Sequence, residues 1–133
     1  MDEKQGMKHE RWEMEQLQSL GLHVKILMTK QRIRDWLNEY GEDNCYVRMN
    51  LSAESLVLLH LVKWIAVGNI KVSFGDTDGH AISPWMASED ESGLDDWLRF
   101  GCNHYDTEKP ESRPMAFWTK EDVLQYIKEY TDE

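Results

Sequence analysis

Residues 52 to 66, "SAESLVLLHLVKWIA", constrain this chain more than any other stretch. The segment has helical length, yet Leu56, Val57, Leu58, Leu59, Leu61, Val62, Trp64 and Ile65 leave almost no polar side. An ordinary surface helix carries one apolar stripe, whereas a helix apolar all round must be covered on several sides. A neighbour stands just before it: "CYVRM", residues 45 to 49, reads as a strand. "NIKVSF" after it alternates Ile70, Val72 and Phe74 and reads as a second strand. Strand, helix, strand predicts a βαβ crossover and a parallel α/β arrangement. Two strands are too few to stand alone, so helices must cover them or a second chain must complete the sheet.

The remaining segments supply that cover. Residues 7 to 20 can form a helix burying Met14 and Leu17, with Trp12 near its edge. "GLHVKIL", residues 21 to 27, reads as an extended connector, and Thr29 as the N-cap of a second helix. Its face repeats Ile33, Trp36, Leu37 and Tyr40 at helical spacing until Gly41 stops it. "GDTDGH" is a turn. Ser88 with Glu91 has capping-box spacing for a helix that buries Leu94, Trp97 and Leu98 and ends at Gly101. Residues 102 to 117, with Pro110 and Pro114, read as irregular. Thr119 caps a last helix bearing Val123, Leu124, Ile127 and Tyr130.

At 133 residues, 41% hydrophobic, the chain is expected to be one domain. No apolar run reaches the ~18–20 residues of a membrane span, and "MDEKQGMKHE" lacks the apolar segment of a signal peptide. A cytoplasmic location without membrane contact is therefore expected. Cys45 and Cys102 are too far apart for a CxxC motif. Cys-x-His at 102 to 104, even with Cys45 and His80, is a poor metal or nucleophile signature, so no cofactor is expected. "DTDG", residues 76 to 79, lacks the later ligands of a calcium loop.

Fifteen Lys and Arg against 25 Asp and Glu give a net charge of −10. Such a chain should be repelled by nucleic acid, and "KQRIR", residues 30 to 34, is too slight a basic patch to reverse that. Five acids crowd into 89 to 96: Glu89, Asp90, Glu91, Asp95 and Asp96. In a regular helix Glu91 and Asp95 stack about 6 Å apart along the axis. Such a row can imitate phosphates toward a basic protein groove, or simply be a solvated face. Trp85, after Pro84 in the preceding loop, is a binding anchor if exposed and core if covered.

"MEQLQSLGLHVKILMTKQRIRDWLNEY" with "CYVRMNLSAESLVLLHLVKW" resembles the N-terminal part of the phosphoadenosine phosphosulfate (PAPS) reductase family, of the adenine nucleotide α-hydrolase-like group. "SPWMASEDESGLDDWLRFGCNHYDTEKPESRPMAFWTKEDVLQYIKEY" resembles a C-terminal stretch of that family. The two blocks span roughly residues 13 to 66 and 83 to 130. The resemblance implies a truncated Rossmann-like α/β fragment with a small parallel sheet and about five helices. Residues 1–80 would form the strand-loop-helix half and residues 81–133 a helical block.

Two departures follow. The family's phosphate loop has the form S-G-G-K-D-S, and those places here hold Asn50, Leu51, Ser52, Ala53, Glu54 and Ser55. Both glycines and the lysine are gone. A leucine in place of a glycine is expected to block phosphate sterically, and Glu54 to repel it. Ser52 reduces to a plain N-cap, and Asn50, Ser52, Glu54 and Ser55 form a degenerate nucleotide loop. A long segment that the family places after its D-T-G strand end, here Asp76 and Thr77, is also missing before Ser83. The C-terminal block has turned acidic: Gly93, Asp95 and Asp96 follow the "ES" where relatives tend to be basic.

The expectation is a non-enzymatic acidic interaction protein on a reused enzyme scaffold. Its sharpest version is a phage or mobile-element inhibitor of the anti-CRISPR, anti-defence kind. It would occlude a basic protein surface, such as the nucleic-acid channel of a nuclease, through Glu89, Asp90, Glu91, Asp95, Asp96 and Trp85. The alternative is a residual adenine-nucleotide-binding or sulfur-transfer protein. Open sheet edges and the over-apolar helix also predict a homodimer.

Overall fold

The computed structural model describes residues 7–105 and 107–131; of "MDEKQGMKHE" only the last four residues fall within it. Its organising unit is β1 (Cys45–Arg48), α3 (Ala53–Ile65) and β2 (Lys71–Ser73). β1 and β2 pair in parallel, Val47 opposite Val72, so α3 is the crossover helix that strand–helix–strand order predicts. Val57, Leu58, Leu61 and Val62 of α3 are buried. They are covered by β1, by α2 (Leu22–Tyr40) and by α5 (Lys120–Tyr130). Leu56 and Trp64 lie outside that cover, exposed, with the Lys30 ammonium 3.1 Å from the Trp64 ring centroid.

The sheet has five strands among the described residues, in the order β2-β1-β3-β5-β4. β3 (His80–Ile82) pairs in parallel with β1 on the side away from β2, and β5 (Glu111–Ser112) continues in parallel beyond it. β4 (Asn103–His104) closes the far edge, antiparallel to β5. The molecule is thus a small Rossmann-like α/β fragment, its sheet parallel except for one strand. The segment 81–133, expected to be helical, contributes β4, β5 and most of β3. These three strands are two or three residues long and leave no alternation to read.

β2 reaches β3 through residues 74–79 with no helix between them. Three-residue strands are about 10 Å long, so six residues suffice to return diagonally past β1. Gly79 makes this possible at φ +122: a Cβ there would stand 2.8 Å from the Asn44 carbonyl oxygen. The expected turn at 75–80 is this crossover. Ile70 is buried, but Val72 and Phe74 are exposed at the β2 edge, so the alternation of this strand marks an open edge and not a core face.

Other expectations are corrected. The first helix is shorter than the 7–20 expected: α1 spans Arg11–Gln18, where the Glu10 N–H donates to the Glu13 carboxylate at 2.6 Å. "GLHVKIL" is helical, because α2 begins at Leu22. Thr29 is therefore no cap. It is buried inside α2, donating to the Pro114 carbonyl at 3.0 Å and accepting from the Trp118 indole N–H at 2.8 Å. The Ser88–Glu91 capping box is absent. Ser88 donates to the Trp118 carbonyl, Asp90 caps a 3-10 turn at Glu91–Gly93, and α4 (Leu94–Phe100) starts only then. Gly41 and Gly101 stop α2 and α4 at positive φ, and Thr119 with Asp122 builds the capping box of α5. Trp36, Trp97 and Trp118 are core, Trp12 and Trp64 exposed. No described helix is long and apolar enough to cross a membrane.

α2 and α5 are joined by a buried ion pair. The Lys25 ammonium, 1% exposed, lies 2.5 Å from the Asp122 carboxylate and 2.7 Å from the Gln18 carbonyl oxygen. Asp122 also accepts from the Thr119 N–H and hydroxyl. Removing one partner of such a pair strands a buried charge, which costs more than replacing both. Lys25→Met is expected to lower unfolding free energy by about 3–5 kcal/mol in urea denaturation. Adding Asp122→Leu should recover at least half of that loss; a Lys25→Met cost below about 1 kcal/mol would contradict a buried pair.

Candidate functional site

β1 and β3 are parallel neighbours whose following segments leave in opposite directions, one into α3 toward β2 and the other toward β5. In open α/β sheets the crevice outside the carboxyl ends of two such strands is where ligands bind. Here it is a cleft of about 200 Å3, lined by Arg48, Asn50 and Glu54 from the β1 side and by Ser83, Pro84, Trp85, Met86, Glu89 and Asp90 from the β3 side. The fold therefore brings together two stretches that the sequence holds far apart, the elbow at 50–55 and the start of the acidic run.

The elbow is closed on itself. The Asn50 side-chain oxygen accepts from the Ser52 N–H at 3.1 Å and is also bonded by the Ser52 hydroxyl. Ser52 Oγ in turn accepts from the Ser55 N–H at 3.1 Å, as the expected N-cap, and Ser55 Oγ donates to the Ser52 carbonyl at 2.8 Å. The side chains of Asn50, Ser52 and Ser55 are committed to one another and to the backbone of the elbow. Leu51 keeps the left-handed backbone that a glycine suits, at φ 65, and is 89% exposed. Its side chain points outward and is no part of the cleft wall, so the expected steric plug is not formed there; residues 50–55 carry no cation.

Electrostatics give the cleft its sign. Its one wall cation, Arg48, is held elsewhere: its guanidinium lies 2.6 Å from Asp76 and 3.3 Å from Glu111. Glu111 also reaches Arg113 at 3.2 Å, and Arg113 lies 3.8 Å from Asp96. This alternating chain, Asp76–Arg48–Glu111–Arg113–Asp96, ties the crossover loop, β1, β5 and α4 together. Glu54, Glu89 and Asp90 are left facing the cleft without an ion-pair partner among the described residues. The Ser92 hydroxyl and N–H hold the Asp90 carboxyl below its usual range, so it stays ionised near neutral pH.

The acidic run is not one row. The 3-10 turn breaks it before α4, because Trp85 and Arg113 pack against Gly93, where a Cβ would meet Arg113 at 2.7 Å. Glu89 and Asp90 face the cleft. Glu91 lies 3.6 Å from Arg11, Asp96 faces Arg113, and Asp95 is exposed on α4. The Glu91–Asp95 stack is thus corrected. Trp85 is half-buried, the Arg113 guanidinium carbon 5.0 Å from its ring centroid, so it is a wall rather than a protruding anchor. Arg48, Glu111 and Arg113 are working residues the sequence did not announce; partners 63 positions apart leave no local signal.

The cysteines and histidines do not assemble. Among the described residues no three His, Cys, Asp or Glu side chains form a metal-ligand group. Burial, helped by the Glu42 charge, pushes the Cys45 thiol up to about 11, and burial raises Cys102 as well. His104 is lowered by burial, then by the Arg113 charge, and hydrogen-bonds the Gly101 carbonyl through Nε2 at 2.9 Å. Comparison with known proteins returns no match for this chain among family models, curated proteins or solved structures.

Leu51 in the left-handed region costs about 1–2 kcal/mol, against about 0.5–1 kcal/mol of added chain entropy for glycine. Leu51→Gly should therefore stabilise the protein by roughly 0.5–1 kcal/mol in urea melts. A loss of more than about 1 kcal/mol would mean that the exposed leucine makes contacts the structure lacks.

Proposed function

We propose that this chain is a non-enzymatic interaction protein, built on a PAPS reductase-like frame, whose acidic cleft between β1 and β3 engages a basic protein surface. The carrying observation is the inverted charge of the cleft. Glu54, Glu89 and Asp90 line it, while its one cation is neutralised by Asp76 and Glu111. A lysine or arginine side chain suits such a cleft: Pro84, Trp85 and Met86 offer apolar wall for its stem and the carboxylates receive its head. Inhibition of a nucleic-acid-binding protein, in the manner of an anti-CRISPR or other anti-defence product acting in the cytoplasm, is the function this reading favours. Acids standing where phosphates would lie would then compete for the same cations.

The second reading is residual adenine-nucleotide binding or sulfur transfer. It draws support from the position of the cleft at the strand switch point and from the left-handed backbone retained at Leu51. The engagement of Arg48 by Asp76 and Glu111 and the three facing carboxylates weigh against it.

A fluorescein-labelled Lys/Arg-rich peptide, titrated by anisotropy, tests the first reading. Binding is expected at low salt and should weaken steeply as ionic strength rises. Glu54→Gln/Glu89→Gln/Asp90→Asn should weaken it about tenfold, the value of one or two charge-assisted bonds. Glu15→Gln/Glu121→Gln/Glu129→Gln removes the same charge elsewhere and should change it by only about twofold. Equal losses for the two triples would reduce the effect to net charge and refute a role for the cleft.

A further inference from the structure

β2 is one edge of the sheet, and no described strand lies beyond it. Its pairing fixes which backbone groups are left over. The Ser73 carbonyl accepts from the Met49 N–H at 2.8 Å, so Ser73 turns its backbone groups toward β1, and Lys71, two residues back, does the same. The N–H and C=O of Val72, between them, therefore point away from the sheet. One outward donor and one outward acceptor on a single residue are what an antiparallel pair exchanges. Such a residue is complementary to itself across a twofold axis.

The side chains at this edge are also left uncovered. Val72 stands opposite Val47, so Ile70, Val72 and Phe74 share the core face. Burial fails along them: Ile70 is 9% exposed, Val72 44% and Phe74 68%. Edge strands are usually guarded by charge or proline. From Ser55 to Gly75 there is no proline and no acid, and Lys63 and Lys71 are the only charges. Glu42, which reaches this stretch, accepts from the Val67 and Gly68 N–H groups at 2.8 and 2.9 Å. In a chain of net charge −10, an acid-free stretch is where two copies can approach. A basic partner, which the β1–β3 cleft suits, would meet only lysines here. Pairing centred on Val72 sets Phe74 opposite Ile70 of the second copy and Lys71 opposite its Ser73, so no like charges stand directly opposite.

We propose that two copies of this chain pair antiparallel through β2, with Val72 opposite Val72 on the twofold axis, to make one sheet continuous across the dimer. The pairing gives the homodimer expected from open sheet edges a definite surface, and it does not rest on the function proposed for the β1–β3 cleft.

Sedimentation equilibrium of the full chain, from about 1 to 200 μM, is expected to show a monomer–dimer equilibrium with a Kd of about 10 μM, weak because the shared strand is short. Salt should tighten it by screening the repulsion between two acidic chains, the opposite of its effect on peptide binding in the cleft. Val72→Pro removes an N–H that β1 does not use, so the monomer keeps its sheet while the dimer Kd rises at least about tenfold. Cysteines test the register. Val72→Cys would set two Cα atoms about 5.5 Å apart on the axis, within disulfide range, whereas Phe74→Cys would leave them about 14 Å apart. Cys45 and Cys102 are buried and do not compete. Mild oxidation should therefore cross-link Val72→Cys and not Phe74→Cys, and this pair decides the matter if Val72→Pro fails to fold. A monomer up to about 200 μM would leave the edge to a strand from another protein and overturn the proposal. So would an unchanged Kd in folded Val72→Pro, or cross-linking of Phe74→Cys as readily as Val72→Cys.

Discussion

Everything in this molecule is arranged around covering α3. A thirteen-residue helix with so little polar surface has to bury most of its apolar side chains, and only Leu56 and Trp64 among its large ones stay exposed. Leu58, Leu61 and Val62 are fully buried because β1 lies beneath them and α2 and α5 flank them. That demand accounts for the buried Lys25–Asp122 pair, which pins the two flanking helices to each other. It accounts as well for Thr29 and Trp118, whose hydrogen bond joins α2 to the segment leading into α5. The apolar contacts supply the driving force; the buried polar contacts fix which arrangement the helices adopt.

The same constraint accounts for the elbow between β1 and α3. β1 and α3 must be joined by an elbow whatever the elbow binds. Here it is stabilised by its own side chains: Asn50 closes on Ser52, Ser52 caps Ser55, and a leucine occupies a left-handed position suited to glycine. A loop built for phosphate brings a cation; this one ties its polar side chains together and sets Glu54 in one cleft with Glu89 and Asp90. Arg48, the cation nearest to the elbow, serves the sheet instead, holding the short β2–β3 crossover against β5 through Asp76 and Glu111.

What was legible in the sequence follows physical lines. α3, the later part of α2, α5, β1 and the Gly41 and Gly101 stops were readable because each carries a period or a cap within a few residues. Residues 21–29 were misread because Gly21 resembled a connector and Thr29 a cap, while the lysine at 25 hid a buried position that only Asp122, 97 residues away, makes tolerable. β4 and β5, two residues each, offered no period at all. In the cleft, Asn50, Glu54, Trp85, Glu89 and Asp90 were all named from the sequence, but not as neighbours. Their meeting depends on the strand order, and the role of Arg48 on partners in other elements. The regular helix expected through 89–96 failed at Gly93, where the needs of Trp85 and Arg113 outweighed local spacing.

The proposed function requires that the elbow between β1 and α3 bind no phosphate. Calorimetric titration of the purified chain with ATP and with PAPS, to millimolar ligand, tests it most directly. No saturable heat is expected with either nucleotide. Saturation at one-to-one stoichiometry, abolished by changing Asn50 and Ser55, would contradict it and make residual nucleotide chemistry the leading reading.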